Sequence, residues 1–249
     1  MSGHSKWANI KHRKGRQDAA RGKLFAKLAK RIEVAAREGG GDPGFNPTLA
    51  TAVEKAKAAS MPNDNIDRAV KRGTGDAGGA IYEETWYEGY GPGGVALYVQ
   101  ILTDNRNRAA SDVRSVFTRG GGNLGEPGSV GYLFSQKGLV MAIGDEDEIM
   151  LSALEAGAED IRDVGEGWFE IVTSPSDLQA VRAAVVEAGI EVESADVTQM
   201  PSTTVPVGES DAKKLLRLID NLDDLDDVQA VFSNYDIDDA VMEKVMAEA

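Results

Sequence analysis

The chain contains no cysteine among its 249 residues and only two histidines, His4 and His12. Without cysteine there is no disulfide, no thiol nucleophile, no Cys-ligated zinc and no iron–sulfur cluster. Both histidines lie near the N-terminus, away from any segment with a core pattern, and a catalytic group needs sub-ångström positioning on a rigid scaffold. The sequence therefore predicts a non-enzymatic protein with no catalytic residues, no metal ligands and no cofactor.

Long apolar runs are also missing. The longest, such as Val95–Val99, have the length of a strand and fall far short of the roughly 18 residues of a membrane-spanning helix. The N-terminus lacks the apolar core of a secretory signal peptide; its basic composition is also typical of a mitochondrial transit peptide, although it has few serines. Because an absence of cysteine fits a reducing compartment, we expect a cytoplasmic protein without a membrane partner.

Three motifs that could carry chemistry have simpler interpretations. The stretch Gly89–Gly94 matches the dinucleotide pattern G-x-G-x-x-G, but the strand-like Val95–Val99 follows it where a phosphate-binding helix is required. We interpret it as a hairpin turn, with no small-molecule ligand. Asp223–Asp227 lacks the spacing of a calcium loop because Leu225 interrupts it. Asp145–Glu148 lies at a predicted helix start, where acids are favourable, and we interpret both acidic clusters as solvated surface.

The first third of the chain predicts three helices. Between Asp18 and Glu38, apolar residues recur at helical spacing, and Lys23, Lys27 and Lys30 fall together on the opposite side with Arg37. We call these three lysines the basic stripe. Asn46-Pro47 is typical of an N-cap followed by proline in the first turn, and the helix that it opens is predicted to reach about Ser60. A third helix is predicted to end at Gly73.

The remainder predicts strands mixed with helices. Residues 137–201 follow the order βαββαβ of a ferredoxin-like unit. The flanking elements are the predicted strands Ile81–Tyr90, Val95–Thr103, Val130–Ser135, Thr203–Val207 and Val228–Phe232 and the predicted helices Arg108–Arg119 and Asp211–Leu222. The predicted class is α+β, an N-terminal three-helix domain followed by two ferredoxin-like α/β domains, one inserted into the other. The predicted domains are 1–78, 79–136 plus 202–249, and the insert 137–201.

Basic residues are scarce overall but concentrated at one end. The chain has 27 Lys/Arg against 41 Asp/Glu, a net charge of −14. Residues 1–31 nevertheless hold ten basic residues against the single acid Asp18, whereas residues 77–249 hold 11 against 33. An acidic protein is repelled by nucleic acid as a whole. A basic arm on an acidic body therefore indicates that one end contacts phosphate while the body stays away from it.

Trp7 distinguishes this arm from a merely solvated tail. It lies among basic residues, where an aromatic ring can stack on an unpaired base, and the positive charge continues onto the predicted first helix. The candidate nucleic-acid-binding residues are Lys6, Trp7, Lys11, His12, Arg13, Lys14, Arg16, Arg21, Lys23, Lys27 and Lys30. A disordered tail on a protein-only adaptor remains an alternative.

Several stretches of residues 1–135 resemble one family. They are Gly3–Lys14, Ala35–Pro43, Met61-Pro62 with Asn65-Ile66 and Arg68-Ala69, Tyr87–Pro92, Leu102–Arg108, Gly121–Gly125 and Gly128–Val130. In these stretches the chain resembles the YebC/PmpR family, which includes the mitochondrial translational activator of cytochrome c oxidase. It departs at Ser60, where asparagine is common, and at Thr48 and Ala50, where basic residues often occur. The last two departures argue against phosphate binding by helix 47–60.

The resemblance implies a helical domain followed by two α/β domains, one inserted, and a role in gene expression. Members of the family are described as DNA-binding transcriptional regulators and are also implicated as ribosome-associated factors that relieve stalling on proline-rich stretches. Since the body is acidic, a slender basic arm entering a crowded RNA site is favoured over a protein lying along a duplex. We therefore expect a translation factor that contacts ribosomal RNA, with a regulator bound to promoter DNA as the alternative.

Overall fold

The computed structural model describes residues 17–75 and 80–247. The α-helices are α1 (Gln17–Gly39), α2 (Pro47–Ala58), α3 (Asn63–Thr74), α4 (Arg106–Arg119), α5 (Glu146–Glu155), α6 (Leu178–Glu187), α7 (Glu209–Asp223) and α8 (Asp239–Ala247). The strands are β1 (Glu83–Tyr90), β2 (Ala96–Thr103), β3 (Asn123–Leu124), β4 (Phe134–Ile143), β5 (Ala158–Gly165), β6 (Trp168–Thr173), β7 (Glu191–Pro201), β8 (Val205–Pro206), β9 (Val228–Ser233) and β10 (Tyr235–Asp236). The α+β class is confirmed, with a helical N-terminal region ahead of the sheets.

Helices α1, α2 and α3 pack around a small core that includes Ile32, Leu49 and Ile66. The predicted N-cap is confirmed: the Asn46 side chain accepts a hydrogen bond from the backbone N–H of Leu49 at 3.0 Å. The third helix does not stop at Gly73 as predicted but continues to Thr74. Gly73 is buried inside it against the backbone of Glu33 in α1, where a Cβ would collide. This glycine permits close helix packing instead of ending the helix.

A discontinuous sheet has the strand order β3-β1-β2-β9, with antiparallel neighbours throughout. Helices α4, α7 and α8 cover one face, and their core with the sheet includes Leu97, Ile101, Phe117 and Leu218. The interpretation of Gly89–Gly94 as a turn is confirmed because β1 and β2 pair directly across it. The turn contains two glycines at φ +76°, Gly93 and Gly94, a conformation that costs glycine little.

The other face of this sheet carries stacked aromatic rings. Trp86 lies 4.2 Å from Tyr98 and 6.0 Å from Phe232 between ring centroids, and Tyr98 lies 5.5 Å from Phe134.

Arg31 of α1 donates hydrogen bonds to the side chains of Gln100 in β2 and Gln229 in β9 of this sheet. The helical domain is therefore joined to the discontinuous sheet by side-chain contacts as well as by the chain.

Residues 134–201 form a second sheet of their own. Its order, β5-β6-β4-β7 with antiparallel neighbours, is that of a ferredoxin-like unit, and α5 and α6 pack on one face around Val140, Ile149 and Ile171. The predicted cap at Asp145 is confirmed, since its carboxylate accepts hydrogen bonds from the N–H groups of Asp147 and Glu148. The insert is therefore built around its own core.

Glu170 is the buried charged residue of the insert. Its neighbours in β6, Phe169 and Ile171, face the helices, so Glu170 faces the opposite side of the sheet. It is 1% exposed, and neither carboxylate oxygen has a hydrogen-bond partner among the described residues. The residue opposite in β5, Arg162, instead binds Asp160 at 2.7 Å. Burial raises the pKa of Glu170 to about 7, against a smaller opposing effect of the Arg162 charge.

The predicted strand Val130–Ser135 is wrong. Residues Gly131–Leu133 form a 3₁₀ turn, and Phe134 begins the long strand β4 of the insert. The N–H groups of Val130 and Gly131 are bound by the Glu88 carboxylate, so they are unavailable to a sheet. The third strand of the discontinuous sheet is Asn123–Leu124 instead.

Differences near the C-terminus are smaller. The predicted strand Thr203–Val207 shortens to β8, which pairs in parallel with β10. Helix α8 was not predicted from the sequence.

The insert is entered and left at a single place. Phe134 and Pro201 are paired at the ends of β4 and β7, and the Ser202 N–H donates to the Leu133 carbonyl at 2.8 Å. We call these two adjacent chain segments, Leu133-Phe134 and Pro201-Ser202, the neck. An ion pair at 2.6 Å between Lys55 of α2 and Asp196 of β7 also joins the helical domain to the insert. The domain boundaries at residues 78, 136 and 201 stay a prediction.

Within the described ranges, no helix is both long enough and apolar enough to cross a membrane.

Candidate nucleic-acid interface

The candidate residues divide between the N-terminal arm and α1. Seven of them lie outside the described residues: Lys6, Trp7, Lys11, His12, Arg13, Lys14 and Arg16. The other four, Arg21, Lys23, Lys27 and Lys30, lie along α1. The guanidinium of Arg21 lies over the ring of Phe25, 5.6 Å from its centroid.

The basic stripe faces an acidic part of the same chain. The carboxylates of Asp223, Asp224, Asp226 and Asp227 lie at the end of α7 and in the loop before β9, and we call this group the acidic segment. Lys23 pairs with Asp224 at 3.0 Å, Lys27 with Asp223 at 2.9 Å and Lys30 with Asp227 at 2.8 Å. Lys27 and Lys30 also donate to backbone carbonyls of Asp223 and Asp226, at 2.7 and 2.9 Å.

These contacts become more buried along α1. The side chain of Lys23 is 44% exposed, whereas those of Lys27 and Lys30 are 13% and 19% exposed. The Lys30 ammonium also lies 5.6 Å from the centroid of the Tyr82 ring. Arg37, predicted on the same side, instead bonds to Ala80 and Glu33. Lys27 and Lys30 are therefore docked against the α/β body, whereas the paired Lys23 stays largely exposed to solvent.

Asp227 anchors the acidic segment to the discontinuous sheet. Its carboxylate accepts hydrogen bonds from Lys30 at 2.8 Å and from both Thr103 and Arg108 at 2.9 Å. Burial by itself would raise the pKa of Asp227, but these three donors outweigh it and the pKa lies below its usual value. The hydrogen bond between Arg108 and Asp227, together with a second one from Arg108 to Asp104, raises the pKa of Arg108. Asp227 is therefore held by donors from α1, β2 and α4 together.

Arg31 extends the docking of α1 beyond the stripe. Its guanidinium donates to the side-chain oxygen of Gln100 at 2.6 Å and to that of Gln229 at 3.1 Å. Burial lowers the pKa of Arg31, and the charge of Glu84 only partly opposes this effect. Arg31 was not among the candidate residues because its position on the apolar side of the stripe gave no sign of a polar partner.

The interpretation of Asp223–Asp227 as solvated surface is wrong for the buried Asp227 and the half-buried Asp223, whereas Asp224 and Asp226 are exposed. The segment binds three lysines that recur at intervals of four and three residues, a spacing that puts them on one side of α1. Two features of the sequence point to this contact, the row of three lysines and the short acidic run. Because the two lie about 200 residues apart in sequence, as Lys27 and Asp223 show, no local pattern connects them.

A cleft of about 720 Å³ opens beside the docked stripe. Lys23 and Lys30 line it from α1, Arg108 and Asp112 from α4, and three aspartates of the acidic segment from the body, namely Asp224, Asp226 and Asp227. Charges of both signs meet there, so the cleft presents no uniform field for an anion. No cluster of potential metal ligands occurs in the part of the chain that the structure describes.

A second buried carboxylate brings two of the resemblance stretches together. Glu88 in β1 accepts hydrogen bonds from the N–H groups of Gly128, Val130 and Gly131 at 2.6–2.7 Å. Burial alone would raise the pKa of Glu88, but these three backbone donors lower it overall. The Tyr90 hydroxyl donates to the Ser129 carbonyl at 2.9 Å. These bonds shape the loop that leads into the insert.

Comparison with known proteins places this architecture in a family. Residues 5–76 match the family described as TACO1/YebC protein N-terminal domain, and residues 82–235 match TACO1/YebC second and third domain. The chain belongs to the TACO1/YebC family. The predicted resemblance is therefore confirmed, and the matched ranges separate the helical region from the two α/β units of the family.

Named relatives of the TACO1/YebC family match almost the whole chain. A protein of Salinispora tropica is 58% identical over 98% of this chain and 100% of its own length, and one of Mycolicibacterium smegmatis is 60% identical over 97% of each. Both are named probable transcriptional regulatory proteins. A crystal structure of a conserved hypothetical protein from Aquifex aeolicus is similar at a TM-score of 0.79, with 47% identity over 89% of this chain and 93% of that one.

Proposed function

We propose that this chain is a non-enzymatic, cytoplasmic regulator of gene expression that associates with the ribosome. Its basic N-terminal arm and the adjoining face of α1 contact ribosomal RNA, and binding relieves stalling on proline-rich stretches. The observation that carries the proposal is the separation of charge. Ten of the 27 basic residues lie within residues 1–31, and the acidic surplus lies in the two α/β units.

The acidic body argues for a local contact. Residues 134–201 contain 15 acids and three bases, so the insert repels a polyanion from most directions. A long duplex would have to pass this surface, whereas an arm entering a folded RNA meets phosphates on several sides while the body remains outside. Unpaired bases in such a site would also offer a stacking partner to Trp7.

The second candidate is a transcriptional regulator that binds duplex DNA with the same arm. The names of the Salinispora and Mycolicibacterium relatives favour it. Both candidates use phosphate contacts, so they differ in the nucleic acid that is bound and not in the residues that bind it.

The test uses an arm variant, Lys11→Ala/Arg13→Ala/Lys14→Ala. Binding to purified ribosomes, single-stranded RNA and duplex DNA is measured over a salt series. Each phosphate-binding side chain that the variant removes should lower the log–log salt slope by about 0.7 on single strands and about 0.9 on duplex DNA. The matched control, Arg114→Ala/Arg119→Ala/Arg182→Ala, removes three exposed positive charges from the body and should leave the slope unchanged.

A reconstituted translation reaction with a proline-run reporter gives the functional readout. Wild type and the body control should raise full-length product, and the arm variant should not. Equal ribosome affinity of the arm variant and wild type at every salt concentration would refute the role of the arm. A defect confined to duplex DNA would establish the transcriptional candidate instead.

A further inference from the structure

We propose that the acidic segment is an intramolecular competitor of nucleic acid for the basic stripe. In the docked arrangement the carboxylates occupy the positions that phosphate would take, and RNA must displace them before Lys23, Lys27 and Lys30 can bind it. This inference rests on the proposed function, in which α1 continues the binding surface of the arm.

The match between the two rows supports competition over chance contact. Each lysine of the stripe meets its own aspartate, at 2.8–3.0 Å. Lys23 and Lys30 are separated by seven positions, about 10 Å of helix at roughly 1.5 Å per residue. Ionised carboxylate oxygens along this length offer the same charge and the same acceptor geometry as a run of phosphates.

The exposure of the ion pairs decreases from Lys23 to Lys30, so the contact between the stripe and the acidic segment should open first at Lys23. At one end, Lys23 and Asp224 have side chains that are 44% and 67% exposed, and an exposed pair of this kind is worth little. At the other end, Asp227 is 10% exposed and is held by Thr103 and Arg108 as well as by Lys30. RNA that follows the arm reaches Lys23 first, so the lysines are released in order from Lys23 to Lys30.

Competition of this kind changes what the protein binds. A tethered competitor acts at an effective concentration of roughly millimolar order, so isolated phosphates and weak non-specific contacts do not displace it. RNA that the arm already holds is at a high local concentration beside α1, and this RNA can displace the acidic segment. The acidic segment therefore restricts binding at the stripe to nucleic acid that is also bound by the arm.

The test neutralises the two outer carboxylates in Asp223→Asn/Asp224→Asn and leaves Asp227 in place. Its control, Glu155→Gln/Glu193→Gln, removes the same charge from exposed positions of the insert. Affinity for a short single-stranded RNA is measured by fluorescence anisotropy. Loss of two partly exposed pairs should tighten binding roughly three- to tenfold, whereas the control should change it by less than about twofold at physiological salt.

The outcomes separate this inference from the proposed function. If wild type binds RNA and the two variants gain equally or not at all, the competitor is refuted and the proposed function stands. If only Asp223→Asn/Asp224→Asn binds, competition is supported. If no form binds RNA or DNA, both fail.

A distance measurement tests displacement directly. Because the chain has no cysteine, spin labels at Ala26→Cys and Asp112→Cys attach only to these two positions, which line opposite sides of the cleft. Saturating RNA should lengthen the distance between the labels, and Asp223→Asn/Asp224→Asn should lengthen part of the population without RNA. An unchanged distance in wild type saturated with RNA would refute displacement even if affinity rises in the variant.

Discussion

Replacing Glu170 with glutamine should stabilise the insert at alkaline pH and leave its stability nearly unchanged at acidic pH. The folded-state pKa of about 7 lies above the ordinary value of 4.5. The folded insert therefore holds a proton that the unfolded chain has released between these two values. Linkage makes the contribution of Glu170 most favourable below pH 4.5, and that contribution is lost as the pH rises through 7.

The magnitude follows from the two pKa values. A tenfold difference in proton affinity between the folded and unfolded states corresponds to about 1.4 kcal/mol, so ionised Glu170 costs about 3 kcal/mol once the pH is well above 7. Glutamine keeps the size of the side chain and removes its titration. The free energy of unfolding of Glu170→Gln minus that of wild type should rise from about 1 kcal/mol at about pH 5, where unfolded Glu170 is already partly ionised, towards this limit at about pH 8.5.

The assay is urea unfolding followed through Trp168, two residues before Glu170 in β6, in a background of Trp7→Phe and Trp86→Phe. The exposed Glu193 on β7 provides the control Glu193→Gln, which should show no such pH dependence. A difference between Glu170→Gln and wild type that stays constant from about pH 5 to about pH 8.5 would show that Glu170 is not held protonated by burial.

Three further predictions concern the fold. Glu88→Gln leaves backbone donors unpaired and should cost about 2–4 kcal/mol of unfolding free energy, measured by thermal denaturation against the exposed control Glu84→Gln. Asn46→Ala removes an N-cap and two further bonds, to Ala35 and Gly40, and should cost about 2 kcal/mol or more by the same measurement. Replacing 137–201 with a short Gly/Ser bridge should leave a cooperative melt, whereas a cooperative melt of fragment 1–136 would contradict the discontinuous domain.

Local signals explain what the sequence could predict. Asn46 and Asp145 were identified as caps because a cap depends on the neighbouring three residues. The ferredoxin-like insert was recognised because each of its elements has a clear period and the order βαββαβ is diagnostic. The charged N-terminus needed only counting, although the role of its residues stays a prediction.

Long-range polar contacts explain what it could not. Val130 belongs to an apolar run that is typical of a strand, yet the Glu88 carboxylate, 42 residues away, takes its N–H. The acidic segment has the composition of solvated surface, and its partners on α1 are visible only after the helical domain is docked on the sheet. Gly73 was predicted as a helix stop because nothing local shows that α1 approaches it closely.

The neck has a consequence for how this architecture can be altered. Phe134 and Pro201 are paired partners, so excision of the insert leaves two chain ends that one tight turn can rejoin. The same adjacency allows a foreign domain with neighbouring termini to be grafted there. Such a graft would lose the ion pair between Lys55 and Asp196, which is about half exposed on both sides, and would keep Phe134 stacked on Tyr98. The insert could thus be exchanged for another domain without changing the basic stripe or the acidic segment, because both lie outside the exchanged residues.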